Sequence, residues 1–235
     1  MMIIKQSAAL GMLLTLATTG VAMAEARNFP VQGFDRIEAS SGLHVTVTPG
    51  EAASVVVDAP DPADLDKLIV EVRGNTLVLG QQHKWFDFSF AFGPRVEVKV
   101  TAPALRAIAV SSGADLTASG WSVPEFDLAA SSGAHVAVSD IAANNVSANA
   151  SSGGGIEAAG KCANLDADAS SGGQLNASGL ICNEVSVNAS SGGSAEVHAT
   201  DAITAGASSG GSVTVTGNPS KTQIQSSFGG SINIK

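Results

Sequence analysis

A right-handed parallel β-helix is the fold this sequence predicts, and three observations predict it. The tripeptide Ser-Ser-Gly starts at Ser111, Ser131, Ser151, Ser170, Ser190 and Ser208, with a variant Ser227-Phe228-Gly229, in steps of 20, 20, 19, 20, 18 and 19 residues. Apolar residues hold fixed places in each step. Five after the first Ser come Leu116, Val136, Ile156, Leu175, Ala195, Val213 and Ile232, and seven after it come Ala118, Val138, Ala158, Ala177, Val197, Val215 and Ile234. A second pair of apolar places precedes the next triplet, at Phe126, Val146, Leu165, Val185 and Ile203 and two residues beyond each. Between these places sit polar or tiny residues, so each unit is two short period-2 segments, and none has helical period and length.

A period of about 20 residues marks a repeat architecture in which each unit stacks on its neighbours. One two-strand unit faced with Ala and Val cannot hold itself together, since a fully buried Val or Leu contributes only roughly 1.5–3 kcal/mol. Stacked in register about 4.8 Å apart, the same units make continuous inner columns. Parallel crossovers favour the right hand. The expectation is a β-solenoid with coils of 18–20 residues and a less regular, wider N-terminal part.

Residues 1–24 read as a signal peptide. Lys5 supplies the positive start, residues 8–21 the apolar stretch, and Ala22-Met23-Ala24 the A-x-A site, so cleavage is expected between Ala24 and Glu25. The apolar stretch is too short to span a bilayer, and no later segment is apolar enough. No Cys follows the cleavage site, which argues against a lipid anchor. The chain is therefore expected to be exported, to the periplasm, the cell surface or the medium. Loss of the leader with Lys5 takes the net charge from −9 to −10. That balance excludes a nucleic-acid role, which needs clustered Lys and Arg, and disfavours anionic lipid surfaces.

Residues 25–109 form an N-terminal β-rich part. Ser40-Ser41-Gly42 is followed by Val45 and Val47 at the same five and seven places, so 34–48 reads as a divergent copy of the repeat. Strands are expected over 54–58, 68–73, 76–79, 84–92 and 95–101. Gly74-Asn75 is a turn, a Pro-rich turn covers 58–62, and 63–67 allows one helical turn. No linker separates this part from the repeat solenoid of 110–235, so the two are read as one continuous stack. In the repeats, the Gly of each triplet suits a corner with positive φ, and the Ser hydroxyls are expected to stack there. Seven copies without a paired base make no nucleophilic site.

Phe34-Asp35-Arg36-Ile37-Glu38-Ala39-Ser40-Ser41-Gly42-Leu43-His44-Val45-Thr46-Val47 resembles the opening of the bacterial GIN-domain family, known as putative auto-transporter adhesin head domains. Val98-Lys99-Val100-Thr101-Ala102-Pro103-Ala104-Leu105, running into Ile108-Ala109-Val110-Ser111-Ser112-Gly113, is similar to that family's midpoint, and the repeated tail to its second half. The resemblance implies a β-helical envelope protein of adhesin type. The adhesin label itself rests on likeness to autotransporter passenger domains, a fold-level analogy. A membrane barrel after Lys235 is not expected.

The reactive residue types are sparse. His44 and His135 share a place in widely separated copies, His198 sits in another column, and His83 stands apart, so no zinc ligand set is expected. Asp58, Asp61, Asp64 and Asp66 crowd one turn without calcium-loop spacing, and a solvated turn is the reading preferred over calcium. Asp115, Glu157, Asp166, Asp168, Glu184 and Glu196 are read as falling in different columns, which gives no carboxylate pair for polysaccharide chemistry. No cofactor is implied. Trp85, Phe86, Phe88, Phe90 and Phe92 lie on one apolar stretch, and are read either as a plug on the Ala-lined core or as an exposed strip gripping a partner. Cys162 and Cys182 both stand eight residues before a triplet, so in-register stacking brings them within disulfide reach, and an oxidising compartment would keep the bridge. The functional expectation is a non-enzymatic, adhesin-like or scaffold protein binding an unknown protein or glycan of the envelope. The alternative is recognition or processing of an envelope polysaccharide, and a third option is self-association through the solenoid ends.

Overall fold

The computed structural model describes residues 25–59, 62–82 and 96–235. These residues form one 17-stranded sheet system. Its N-terminal strands are β1 (Glu25–Phe29), β2 (Arg36–Ala39), β3 (His44–Pro49), β4 (Ser54–Ala59), β5 (Leu68–Arg73), β6 (Thr76–Gln81) and β7 (Glu97–Ala102), with one helical turn, α1 (Pro62–Leu65). The repeats supply β8 (Ala107–Val110), β9 (Asp115–Ser119), β10 (Ser122–Ala130), β11 (His135–Ala150), β12 (Gly155–Ala169), β13 (Gln174–Ala189), β14 (Ser194–Ala207), β15 (Ser212–Thr216), β16 (Lys221–Ser226) and β17 (Ser231–Ile234).

The parallel pairing makes two stacked sheets. The first sheet follows each Ser-Ser-Gly turn and runs β7, β3, β9, the leading halves of β11 to β14, β15 and β17. The second leads into each turn and runs β6, β2, β8, β10, the trailing halves of β11 to β14, and β16. Each coil contributes one strand to each sheet, and the apolar places of the two inner faces make the core.

Coil order along the axis departs from chain order. The β2–β3 coil, the divergent copy, lies between the β6–β7 coil and the β8–β9 coil, so the chain leaves the stack after β3 and returns one coil further out. The outer edges of that returning coil are closed by antiparallel strands: β5 on β6 through the Gly74-Asn75 turn, and β4 on β7, with β1 on β4. Antiparallel closure covers edges that another parallel coil would otherwise extend. The expected strand over 84–92 lies outside the described residues.

The inner columns are continuous. Val98, Val45, Leu116, Val136, Ile156, Leu175, Ala195, Val213 and Ile232 stack in that order. Val136 is 0% exposed, Ile156 1% and Leu175 2%. Beside the turn, where the two sheets join, the column entering it narrows to Ala130, Ala150, Ala169, Ala189 and Ala207.

The Gly of each triplet has the positive φ expected of a corner, and the second Ser shares it, as in Gly172 at 74° and Ser171 at 49°. The residue after them donates its N–H to the first Ser carbonyl. Positive φ at both central positions is the type I′ pattern. A Ser in the left-handed region was not legible because the triplet alone does not say which residues are central. The ladder along this corner is one of main-chain groups, not the hydroxyls expected: Gly113 N–H meets Ser132 C=O at 3.2 Å, and Gly172 N–H meets Ser191 C=O at 3.2 Å. From Gly154 onward a second Gly follows the triplet, because a Cβ at Gly173 would lie 2.3 Å from the Ala150 carbonyl oxygen. Where this place is Ala, as at Ala114 and Ala134, the turn hydrogen bond is 3.2 and 3.1 Å long; with Gly154, Gly173, Gly193 and Gly211 it shortens to 2.7, 2.8, 2.8 and 2.8 Å.

Asn tolerates the left-handed region better than Ser and is favoured in type I′ turns. Ser171→Asn is therefore expected to raise stability by roughly 0.5 kcal/mol. Urea unfolding followed by circular dichroism checks this; a lower midpoint would show that the hydroxyl, not the backbone, holds the corner.

Candidate functional site

Strand alternation sends every second residue outward, and stacking turns those residues into columns. On the first sheet, one outward column reads Glu97, His44, Asp115, His135, Gly155, Gln174, Ser194 and Ser212. His44 and His135 are thus not widely separated: both flank Asp115, because the β2–β3 coil is inserted next to β9. His44 Nε2 lies 3.5 Å from Asp115 Oδ2. His135 leans the other way, over Gly155, where a Cβ would come 2.7 Å from its Nδ1. The neighbouring column reads Thr117, Ala137, Glu157, Asn176, Glu196 and Thr214, which places Glu157 and Glu196 in one column, contrary to the sequence reading. A depression of about 530 Å³ runs along this face beside Thr48, Ser119, Ser139 and Ser178, with Glu157 its one carboxylate.

The outer face of the second sheet differs in charge. One column reads Glu125, Asn145, Asn164, Glu184 and Ala202; the next Asp127, Ser147, Asp166, Ser186 and Thr204; the third Ala129, Asn149, Asp168, Asn188 and Gly206. Asp127 and Asp166 share a column, while Asp166, Asp168 and Glu184 fall in three different columns, as the sequence reading has them. A depression of about 450 Å³ is lined by Glu125, Asp127, Asp166 and Glu184 with the amides between them. Asn164 Nδ2 donates to Asn145 Oδ1 at 2.9 Å, which fixes the amide row in the middle. Arg36 approaches Asp127 at 3.7 Å from the edge of the face, leaving the centre acidic. The apolar places before each triplet mark only the inward residues of this sheet; the residues between them, read by column, show the Asp, Asn and Ser rows.

The remaining candidates sort by position. Cys162 and Cys182 are directly paired in adjacent coils, with Cα atoms 4.5 Å apart, and form a disulfide. Both are buried, at 7% and 0% exposed, which makes the bridge a staple inside the core. In the acidic turn, Asp66 pairs with Arg27 at 3.2 Å and Asp64 with Lys67 at 3.1 Å. Among the described residues, no three His, Cys, Asp or Glu side chains are grouped to hold a metal ion. Trp85, Phe86, Phe88, Phe90 and Phe92 lie outside the described residues, as do His83, Asp61 and Ala24. No helix among the described residues is long and apolar enough to cross a membrane.

Residues 33–219 match the family described as putative auto-transporter adhesin, head GIN domain. The chain belongs to this family. Its GIN-domain fold also appears in crystal structures. A putative adhesin from Bacteroides fragilis NCTC 9343 superposes with a TM-score of 0.81 at 19% identity, over 91% of this chain and 97% of that one. A protein named as a putative lipid binding protein, from Parabacteroides distasonis ATCC 8503, superposes at 0.69 and 19% identity, over 92% and 98%. A putative adhesin from Parabacteroides merdae ATCC 43184 gives 0.64 at 16%, over 92% and 98%. At such identities the likeness is one of fold. No curated protein matches the sequence. The two outer faces carry the chemistry of this particular chain.

Proposed function

We propose that this GIN-domain chain is an exported, non-enzymatic, adhesin-like protein of the cell envelope, and that it grips a partner rich in cationic and hydrogen-bond-donor groups with the outer face of its second sheet. The observation that carries the reading is the depression where Glu125, Asp127, Asp166 and Glu184 surround the Asn145–Asn164 pair. Carboxylates and amide oxygens at a regular coil spacing present acceptors in rows, which suits amines, guanidinium groups and hydroxyls aligned along an extended partner. Export is supported by Lys5, the apolar stretch that follows, the Ala22-Met23-Ala24 site and the Cys162–Cys182 bridge.

A binding role fits these carboxylates better than catalysis. Glu125, Asp127, Asp166 and Glu184 are all exposed and set among amides and hydroxyls, the arrangement of a contact surface open to solvent. Polysaccharide processing is further disfavoured by the aromatics: Phe34, Trp121 and Phe126 are buried, and no described aromatic stands on either broad face as a stacking platform for sugar rings.

The test neutralises the face without touching the core. Purified protein carrying Glu125→Gln, Asp127→Asn, Asp166→Asn and Glu184→Gln is expected to lose at least about tenfold of its binding to solubilised envelope material, along with the salt dependence of that binding. A control with Glu97→Gln, Glu157→Gln and Glu196→Gln on the first sheet is expected to bind as the parent does. Equal binding by the parent and the four-residue variant, or an equal loss in the control, would overturn the assignment of the face.

A further inference from the structure

The two ends of the solenoid are built differently. At the β6–β7 end, antiparallel β5 and β4 occupy the outer edges of the coil. At the other end β16 pairs with β14 and β17 with β15, and among the described residues no strand lies on their outer edges. The last coil nevertheless keeps the core pattern. Thr222, Ile224 and Ser226 stand over buried Ile203, Ala205 and Ala207, and Ile232 and Ile234 over buried Val213 and Val215. These are core places left uncovered: Ile224 is 48% exposed and Ile234 39%.

Phe228 adds a second, independent observation. It occupies the turn place held by Ser in the other triplets, at φ 48°, and is 88% exposed. A bulky side chain in the left-handed region is costly, and here the ring gains no burial within the chain. The end also carries no Asp or Glu side chain. From Thr216 to Lys235 the charged side chains are Lys221 and Lys235, in a protein of net charge −9. Two copies meeting through their side faces would set carboxylates against carboxylates, whereas this end meets its own image without that repulsion.

We propose that two copies of this chain join tail to tail through the outer edges of β16 and β17, each copy supplying the coil that covers the other's. A closed two-fold pair uses one surface twice and stops at two. Turned over by a two-fold axis across the strands, the second copy presents β16 to β16 and β17 to β17 with strand direction reversed, so the new ladders are antiparallel and every free backbone group has a partner of the opposite kind. The inward places of β16 are all even-numbered. A register centred on Ile224 therefore sets inward residues opposite inward residues, and the Ile rows of the two cores become continuous. Head-to-tail growth into a filament is blocked, since β4 and β5 already occupy the edges that a parallel coil would need at the far end.

Sedimentation velocity of the purified protein over a concentration series tests this. The end face is small, so a micromolar dissociation constant is expected, with monomer at low concentration giving way to a species of twice the mass and nothing larger. Ile224→Lys places a charge on the uncovered edge and should leave only monomer with an unchanged far-ultraviolet circular dichroism spectrum. Phe228→Ser should weaken the dimer at least about tenfold while leaving the monomer as stable or more so, because the turn recovers the residue of the other coils. Should Ile224→Lys fail to fold, amide exchange of the parent decides instead: the amides of β16 and β17 gain protection as concentration crosses the dissociation constant. Monomer at every concentration, a dimer indifferent to both substitutions, or an open-ended polymer would each overturn the proposal.

Discussion

Val136→Asp is expected to leave the chain without a stable folded state. Val136 is 0% exposed and sits between Leu116 and Ile156 in a continuous inner column, with Val138 beside it on the same face. A carboxylate there finds no donor: the backbone amides around it are already used in parallel ladders, and the column offers only methyl groups. Burying an unpaired ionisable group costs at least about 4 kcal/mol, much of the 5–15 kcal/mol that a whole domain commonly has. Val136→Ala separates this cost from lost volume, since it removes apolar contact without adding charge and is expected to cost about 2 kcal/mol. Urea unfolding of both variants measures the difference. An Asp variant that melts like the parent would mean that the place five after each Ser faces solvent, and the coil register would have to shift by one residue.

That register was the most legible part of the molecule, and the reason is physical. In a stack of near-identical coils the same inward place recurs in every unit, so Val136, Ile156 and Leu175 declare their alignment through spacing alone. The β2–β3 coil was harder. Its Ser40-Ser41-Gly42 and Val45 identify it as a coil, but which coils it touches depends on a chain crossing that leaves no local mark. The consequence reached the surface: His44, Asp115 and His135 form one column although His44 is far from both in sequence. Positive φ at the second Ser was hidden for another reason. Ser is not a residue that announces the left-handed region, and it is held there by the backbone ladder from coil to coil, a tertiary effect that outweighs local preference. The acidic face required reading the outward places before each triplet by column, which the period allows once the inward places are assigned. The residues at 83–95, with the loudest apolar pattern in the chain, contribute nothing to this comparison because they lie outside the described part.

Removal of the Cys162–Cys182 bridge is expected to lower stability by about 3 kcal/mol without changing the fold. The bridge closes a span of 20 residues, one turn of the solenoid, and in the chain-entropy model a loop of that length restricts the unfolded chain by about that amount. The native side of the comparison is unusually clean. The column that holds the two cysteines continues as Ala143 on one side and Ala199 on the other, so Cys162→Ala with Cys182→Ala extends a run of small side chains that the coils already accommodate. A cavity term should be small, and the loss should come mainly from the released unfolded state. In a stack where each coil contacts only its neighbours, the staple also has a place. It ties the β12 coil to the β13 coil, and so resists unzipping from the β16–β17 end into the repeats. The double variant should therefore show amide exchange rising first in β14 to β17, spreading to β13 and β12 at lower denaturant than in the parent, with β9 and β10 affected last. Equal midpoints for the two proteins, or two alkylatable thiols in the folded, exported chain under non-reducing conditions, would refute the staple. A uniform rise in exchange across all coils would refute its local action, because it would mean that the solenoid opens as one unit and not from its uncovered end.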